Sequence, residues 1–523
     1  MISTILFDIP SILISVGIGI VTYVAYFYFK YFTRPNAIPG PIPLPFIGNL
    51  HQYPGDMSAF CETCQKKYGD IWEFYLGHPS DKTRGIGLGR ADLLEKIYTT
   101  NLQECNFILR TPPNDGLDEF GSTSKGLLYN RNHDTWTYYR KFFNRAIMSP
   151  KFVRQAISWT EEIFEEVEGY WMKLGGDDEI ELDLSQWLLR FTTDVIFRIT
   201  TNKKTNALAN YFNNKSPTEK INLDATVLKE SEDFIKRVND FITSMQYFLL
   251  TPKWLRYFPG GFKQTTMRLL KERDNMTKDL LQLVTQRREE INNTPLDVSL
   301  TPDMLTMFLT VNTDRDITEQ IANESNTEPM SDEAIVGNFM EAAAGGIDTT
   351  AGTLCFISYC MARYPEAKKR LFEEIDSIIT TNQKLTHENL NKLTYCDAVI
   401  KEVSRLLPVV DINYRMNTND ENLDGYTIPA ETQFFINQRG INKHTFNWTN
   451  PEEFDPDRFI NSQDKNLTFQ FGGGARMCPL KAFMVLLYRK YDVELIENTP
   501  MKTHYTIVRH CDELKVRIKT RKF

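Results

Sequence analysis

The first departure from an ordinary hydrophobic–polar mixture is the run from Ile9 to Phe29, which is apolar and carries no charged side chain. At helical rise it is long enough to cross a hydrocarbon core of roughly 30 Å. It closes on Tyr26, Phe27, Tyr28 and Phe29, with Lys30 and Arg34 beyond. Aromatics suit the interface, and the basic pair places the following chain on the cytoplasmic side. A cleaved signal would have a shorter apolar region ending in small residues. The prolines at 35, 39, 41, 43 and 45 restrict φ and predict a stiff, extended connection. The pattern therefore divides the chain into an anchor at 1–34, a proline-rich hinge at 35–49 and one domain at 50–523.

Within that domain apolar residues recur at helical spacing over Phe152–Leu174, Glu230–Leu249, Thr265–Asn292, Ser331–Tyr364 and Pro365–Thr380, predicting helices. Strand-like runs are fewer, at Asp70–Leu76 and Gly425–Ile436, the second opened by the turn signal Asp424-Gly425. Asn312–Met330 is polar and reads as an exposed loop, and Ser331-Asp332-Glu333 as the capped start of the next helix. No internal repeat or second linker interrupts the domain. The expected class is mainly α with small β-sheets.

Composition narrows the function more than the fold. Of 523 residues 41% are hydrophobic and 24% charged, which allows a large core. The net charge of −8 argues against a nucleic-acid binder. The 8 cysteines are dispersed rather than spaced as a disulfide framework, and suggest a reducing compartment. Cys61-Glu62-Thr63-Cys64 has redox or zinc spacing, but no second pair or histidine follows nearby, and it reads as a helical surface pair.

Chemistry concentrates in a few stretches. In Phe471-Gly472-Gly473-Gly474-Ala475-Arg476-Met477-Cys478-Pro479-Leu480 a lone cysteine follows a glycine run and opens an apolar segment. A cysteine is often a small buried hydrophobe. At a turn into a helix, however, backbone N–H groups favour the thiolate, and glycines let backbone approach a flat ligand. Ala344-Gly345-Gly346-Ile347-Asp348-Thr349-Thr350 places a glycine pair inside a helical pattern, at about 1 kcal/mol each relative to alanine. Taken alone, the pair is better explained by close helix packing than by a flat ligand lying against the helix. Glu402 and Arg405 share a helix face at i, i+3, and Trp136 and Arg140 share one at i, i+4.

The order Phe-x-x-Gly-x-Arg-x-Cys, with Gly-Gly-x-Asp-Thr-Thr, Glu-x-x-Arg, Asp455-Pro456-Asp457-Arg458-Phe459 and Trp-x-x-x-Arg, resembles the cytochrome P-450 superfamily of haem-thiolate monooxygenases over nearly the whole chain. The resemblance implies a triangular helical prism burying haem b, with Cys478 as the axial iron ligand. It implies Asp348 and Thr349 as the acid–alcohol pair of oxygen activation. Glu402, Arg405 and Arg458 become a structural ion network. Trp136, Arg140, Arg415 and Arg476 become haem-propionate partners, with His133 a further candidate. It also implies a single-pass anchor in the endoplasmic reticulum membrane, the catalytic domain facing the cytosol.

No flavin or nicotinamide motif is present, so the resemblance implies electrons from NADPH through a partner flavoprotein reductase. Lys141, Arg145, Lys481, Arg489 and Lys490 could form its docking face. Residues 110–124, Val409–Ile412 and Tyr505–Val508, with Phe339 and Ala343, are the expected pocket linings for an apolar small molecule. One departure stands out. Leu480 occupies a position usually held by glycine, and the helix after Cys478 is shortened by roughly two turns. Leu480, Phe483, Met484 and Leu487 still give that stub one apolar face. Two alternatives follow: a haem-poor binding or scaffolding protein, and a haem-thiolate isomerase or dehydratase that needs no reductase.

Overall fold

The computed structural model describes residues 9–77, 79, 83–94, 97–98, 106–107, 109, 113–176, 178–311, 313–317, 330–380, 383–461 and 478–522. These group into two compact units, Met1–Pro113 with Asn413–Gly440, and Asn114–Ile412 with Ile441–Phe523. In the first, the chain forms α1 (Ile9–Phe32), α2 (Met57–Tyr68), β1 (Ile71–Tyr75) and β2 (Arg84–Leu88). It then builds most of the second unit: α3 (Asp115–Phe120), α4 (His133–Met148), α5 (Pro150–Gly175), β3 (Glu179–Asp183), α6 (Leu184–Thr201), α7 (Ala207–Lys215), α8 (Ala225–Leu250), α9 (Lys253–Arg256), α10 (Gly261–Asn293), α11 (Met304–Thr310), α12 (Asp332–Arg363), α13 (Pro365–Ile378), α14 (His387–Lys392) and α15 (Thr394–Leu406). The first unit is completed by β4 (Ile412–Met416), β5 (Glu421–Leu423), β6 (Tyr426–Ile428) and β7 (Gln433–Asn437). The passage back gives α16 (Gln438–Asn442), α17 (Arg458–Asn461), α18 (Cys478–Lys490), β8 (Tyr491–Leu495), β9 (Thr503–Tyr505), β10 (Arg509–Cys511) and β11 (Lys515–Thr520).

In the first unit, α1 is long and apolar enough to cross a membrane, with a 21-residue stretch from Ile12 to Phe32 of mean hydropathy 2.0 and no buried residue. The proline segment lies along it: the Tyr23 and Tyr28 hydroxyls donate to the Pro45 and Pro43 carbonyls at 3.1 and 3.4 Å. Pro41, Pro43 and Pro45 turn inward while Ile42, Leu44 and Phe46 alternate outward, the two-residue period of an extended chain. The sheet order is β1-β2-β7-β4, with β2 and β7 parallel. The stretch read as one strand over Gly425–Ile436 is two. Asp424 (φ 52°) and Gly425 (φ 83°) turn β5 into β6, after which Pro429, lacking an N–H, and Glu431 at φ 58° end the pairing before β7. Cys61 and Cys64 are not a surface pair. Both are buried on α2, where burial pushes the Cys64 thiol up to about 12 and Cys61 in the same direction.

The second unit is built around α12. Ser331 caps it by accepting from Ala334 N–H, and Asp332 and Glu333 sit in its first turn, where the helix dipole favours acids. A seam of buried residues from Ala334 through Ile347 and Leu354 to Met361 covers most of its circumference, as a helix enclosed by others requires. It packs most extensively on α6 and also touches α8, α10, α13, α15, α18 and β10. The strands β3-β11-β8 form one antiparallel sheet, and β9 and β10 a hairpin.

The helix after Cys478 is short, and β8 begins at the residue after its end. It is buried on all sides rather than on one face: every residue from Leu480 to Tyr488 is enclosed. Phe483 packs edge-on to Phe164 of α5 at 5.4 Å and against Phe191 of α6 at 4.5 Å, geometry that adds to its area burial.

Candidate active site

Cys478 is the first residue of α18, where helix N–H groups without intrahelical acceptors create positive potential. Residues 471–477, including Arg476, lie outside the described residues. Two positions on, Leu480 lines a cavity of about 390 Å³ that is also lined by α12, at Gly345, Gly346, Thr349, Thr350 and Thr353. Phe152, Phe191 and Val195 supply apolar surface from α5 and α6. A Cβ at Gly345 would meet nothing within 4 Å, so this glycine keeps the cavity wall flat.

Thr349 Oγ1 donates to the Gly345 carbonyl one turn back, and Thr353 Oγ1 donates to Thr349 O at 2.7 Å. With its proton used on the helix, the Thr349 hydroxyl offers lone pairs to the cavity. Asp348 faces elsewhere. It lines a second cavity, of about 300 Å³, with α6, α8 and the β9–β10 hairpin. It is 6% exposed, its Oδ2 has no hydrogen-bond partner among the described residues, and burial pushes its carboxyl up to about 6.

Trp136 lies on α4, its indole N–H donating to the Leu127 carbonyl at 3.0 Å. Glu341 of α12, which lines the first cavity, accepts from the Leu127 and Leu128 N–H groups, the latter at 2.8 Å. Arg140 is half-buried on the same helix as Trp136. Arg415 is in β4 of the first unit, its guanidinium 5.0 Å from the Tyr98 ring centroid and donating to Tyr414 O at 2.8 Å. His133, the first residue of α4, is about half exposed beside Asp134.

The structure brings Glu402, Arg405 and Arg458 together. Arg405 and Glu402, both fully buried, form a bidentate pair at 2.7 and 2.8 Å. Arg405 also donates to the carbonyls of Asn442, Pro451 and Glu453 at 2.9, 2.6 and 2.9 Å. Arg458 lies 3.6 Å from Glu402, and Asp455 N–H donates to the same carboxylate at 2.8 Å. The arrangement satisfies a buried charge pair almost completely, which such a pair needs to be tolerated. It ties α15 to the segment between α16 and α17.

Several expected surface and lining positions are core. Lys481 is 5% exposed and paired with Asp397 at 2.9 Å. Arg489 is 8% exposed and donates to Gln383 O at 2.8 Å, and Lys490 pairs with Glu168 at 2.8 Å. Because α18 is enclosed, these basic residues are paired with neighbouring helices and with the segment between α13 and α14, and do not form a docking face. Lys141 is exposed, and the Arg145 side chain lies outside the description. Phe339 and Ala343 are buried and line neither cavity, whereas Val409 lines the first and Thr506 the second. Sequence reasoning missed Glu341 and the histidines of the hairpin. Glu341 stands one helical turn before Gly345, and His504 and His510 flank one turn.

The family model for cytochrome P450 matches residues 38–516, and the chain belongs to that family. It is similar to the steroid 17-alpha-hydroxylase/17,20 lyase of Peromyscus leucopus, 25% identical over 511 residues, 94% of this chain and 93% of the relative. It is also similar to cytochrome P450 71B4 of Arabidopsis thaliana, 25% identical over 86% of this chain and 83% of the relative. Against cytochrome P450 3A6 of Oryctolagus cuniculus the identity is 24%, over 93% and 88%. The protein is thus an oxidoreductase of the haem-thiolate monooxygenase class with a mainly helical fold. The residues of the first cavity fit a haem: a mostly apolar space among several helices, a wall kept flat at Gly345, and a hydroxyl with lone pairs at Thr349, while Leu480 in its lining stands two residues after the cysteine that starts α18.

Proposed function

We propose that this chain inserts one atom of O₂ into an apolar small molecule, taking electrons from NADPH through a partner flavoprotein reductase. Cys478 is the thiolate ligand of haem b, and Trp136, Arg140, Arg415 and Arg476 are the residues we assign to its propionates. The helix α1 anchors the protein in the endoplasmic reticulum membrane with the remainder in the cytosol. What supports this reading is that Thr349 and Leu480, the latter two residues past Cys478, line one apolar cavity.

Bound haem would supply the iron at which O₂ is reduced and split, with the thiolate donating electron density. The rest falls to the chain. The aromatic and aliphatic walls exclude water and favour apolar substrate. Thr349 accepts a hydrogen bond from a water or hydroxyl in the cavity, since its own proton is held by Gly345. Asp348, its pKa raised by burial, holds a proton near neutral pH more readily than an exposed aspartate and is the proton donor we assign to the reaction, held on the second cavity one residue from Thr349. Turnover under ¹⁸O₂ with a reductase and NADPH tests the reading: product carrying one labelled oxygen is expected. Product labelled only from water, or formed without reductase, overturns it.

A further inference from the structure

The second cavity lies on the face of α12 away from Thr349, and its walls mix polar side chains with apolar ones such as Leu189 and Ile242. α6 contributes Ser185 and Gln186, α8 contributes Asn239 and Thr243, and neither adds a charge. Its titratable groups are Asp348 and Cys355 from α12 and His504, His510 and Cys511 from the hairpin. A carboxylate oxygen this buried is normally satisfied, and Asp348 Oδ2 has no donor among the described residues. At roughly 30 Å³ per molecule the space accommodates several waters, and the polar groups among its walls supply the partners ordered water needs.

The hairpin end is shaped for proton exchange. The His504 and His510 rings stack at 4.8 Å with 13° between planes. His504 is the exposed member, its Nδ1 held by the Asp512 carboxylate. His510 lies further in, with Nε2 at 3.0 Å from Thr506 Oγ1. Burial first, and the neighbouring His504 second, lower the His510 pKa to about 4, so near neutral pH it is an uncharged imidazole with one nitrogen accepting and the other donating.

We infer that the second cavity holds a file of hydrogen-bonded water through which Asp348 exchanges its proton with solvent, entered at the His504–His510 pair. In one pass a proton from bulk water binds one ring nitrogen of His510 and another leaves the second nitrogen for the file. The file then protonates an Asp348 carboxylate oxygen, and no electron moves. The inference rests on the proposed role of Asp348 as proton donor, and adds the histidines as positioning residues for that step.

The test uses full-length protein in detergent, with and without haem. The Asp348 carboxylic acid band is isolated as the infrared difference between wild type and Asp348→Asn, below the pH of about 6 at which it titrates. After rapid mixing into D₂O its rate of exchange is followed. His510→Phe, which keeps a stacked ring but no nitrogen, is expected to slow exchange about tenfold or more, short of the roughly 10²–10⁴ of a direct acid–base catalyst because water still leaks. Added imidazole should restore the rate in His510→Gly. Exchange in His510→Phe at the wild-type rate overturns the inference, and His510→Gln decides the matter if the phenylalanine variant does not fold. The band is read without turnover, so loss of the proposed monooxygenase activity and failure of the proton path are separate results.

Discussion

Asp348 and Thr349 are adjacent in sequence yet open onto different cavities, because one step along a helix turns a side chain by about 100°. The acid meets a space of mixed polar and apolar walls and the alcohol an almost wholly apolar one. Their substitutions should therefore fail differently. Thr349→Ala is expected to keep NADPH consumption but divert it to hydrogen peroxide. Asp348→Asn should slow turnover by about 10²-fold with a raised solvent isotope effect. Stopped measurements of NADPH, peroxide and product separate the two.

The buried Asp348 also sets a pH dependence of stability. Its folded pKa of about 6 lies above the ordinary 3.8, so between those values the folded chain binds the proton more tightly than the unfolded one. Stability then falls as pH rises from about 4 to about 6, by on the order of 3 kcal/mol. Asp348→Asn should raise the thermal midpoint above pH 7 and leave it little changed near pH 4. Asp194, raised to about 6 by burial, leaves a second slope in the same window.

Arg405 and Glu402 predict a large structural effect. Removing one member strands the other, at about 3–5 kcal/mol. Arg405→Ala should yield a chain that unfolds at markedly lower denaturant. Arg458→Ala should cost less, because Arg458 stands 3.6 Å from Glu402 and the bidentate bonds survive.

Glu341 should act through Trp136. Its carboxylate holds the Leu127 and Leu128 N–H groups, and Leu127 O holds the indole. Glu341→Ala is expected to release this segment, shift the Trp136 contribution to fluorescence, and weaken haem retention. Glu341→Gln, which keeps an acceptor oxygen, should recover most of it.

Leu480 should limit the room in the first cavity. Leu480→Ala removes buried methyls at a cost of about 2–5 kcal/mol to the haem-free chain, yet should take up haem faster. Equal uptake rates would show that this side chain does not crowd the site.

The long helices were legible because their apolar period is strong: α5, α8, α10, α12 and α13 begin and end within a few residues of the segments predicted for them. The Gly425–Ile436 run misled because its alternation hid a left-handed residue at Glu431. The glycine pair, the acid–alcohol pair and the ion network were visible as motifs. Which cavity each residue faces was not, since that depends on the rotation of α12 against α6 and the hairpin. The burial of Lys481 and Arg489 was hidden for a similar reason: the charge pattern does not reveal that α18 is enclosed on all sides.

The reduced, carbon monoxide-bound absorption spectrum of the purified protein, compared with that of Cys478→Ser, bears most directly on the central claim. A thiolate-type Soret band in the wild type that is lost in the variant is the predicted result. A wild type that binds no haem when haem is abundant, or a variant with an unchanged band, would contradict it.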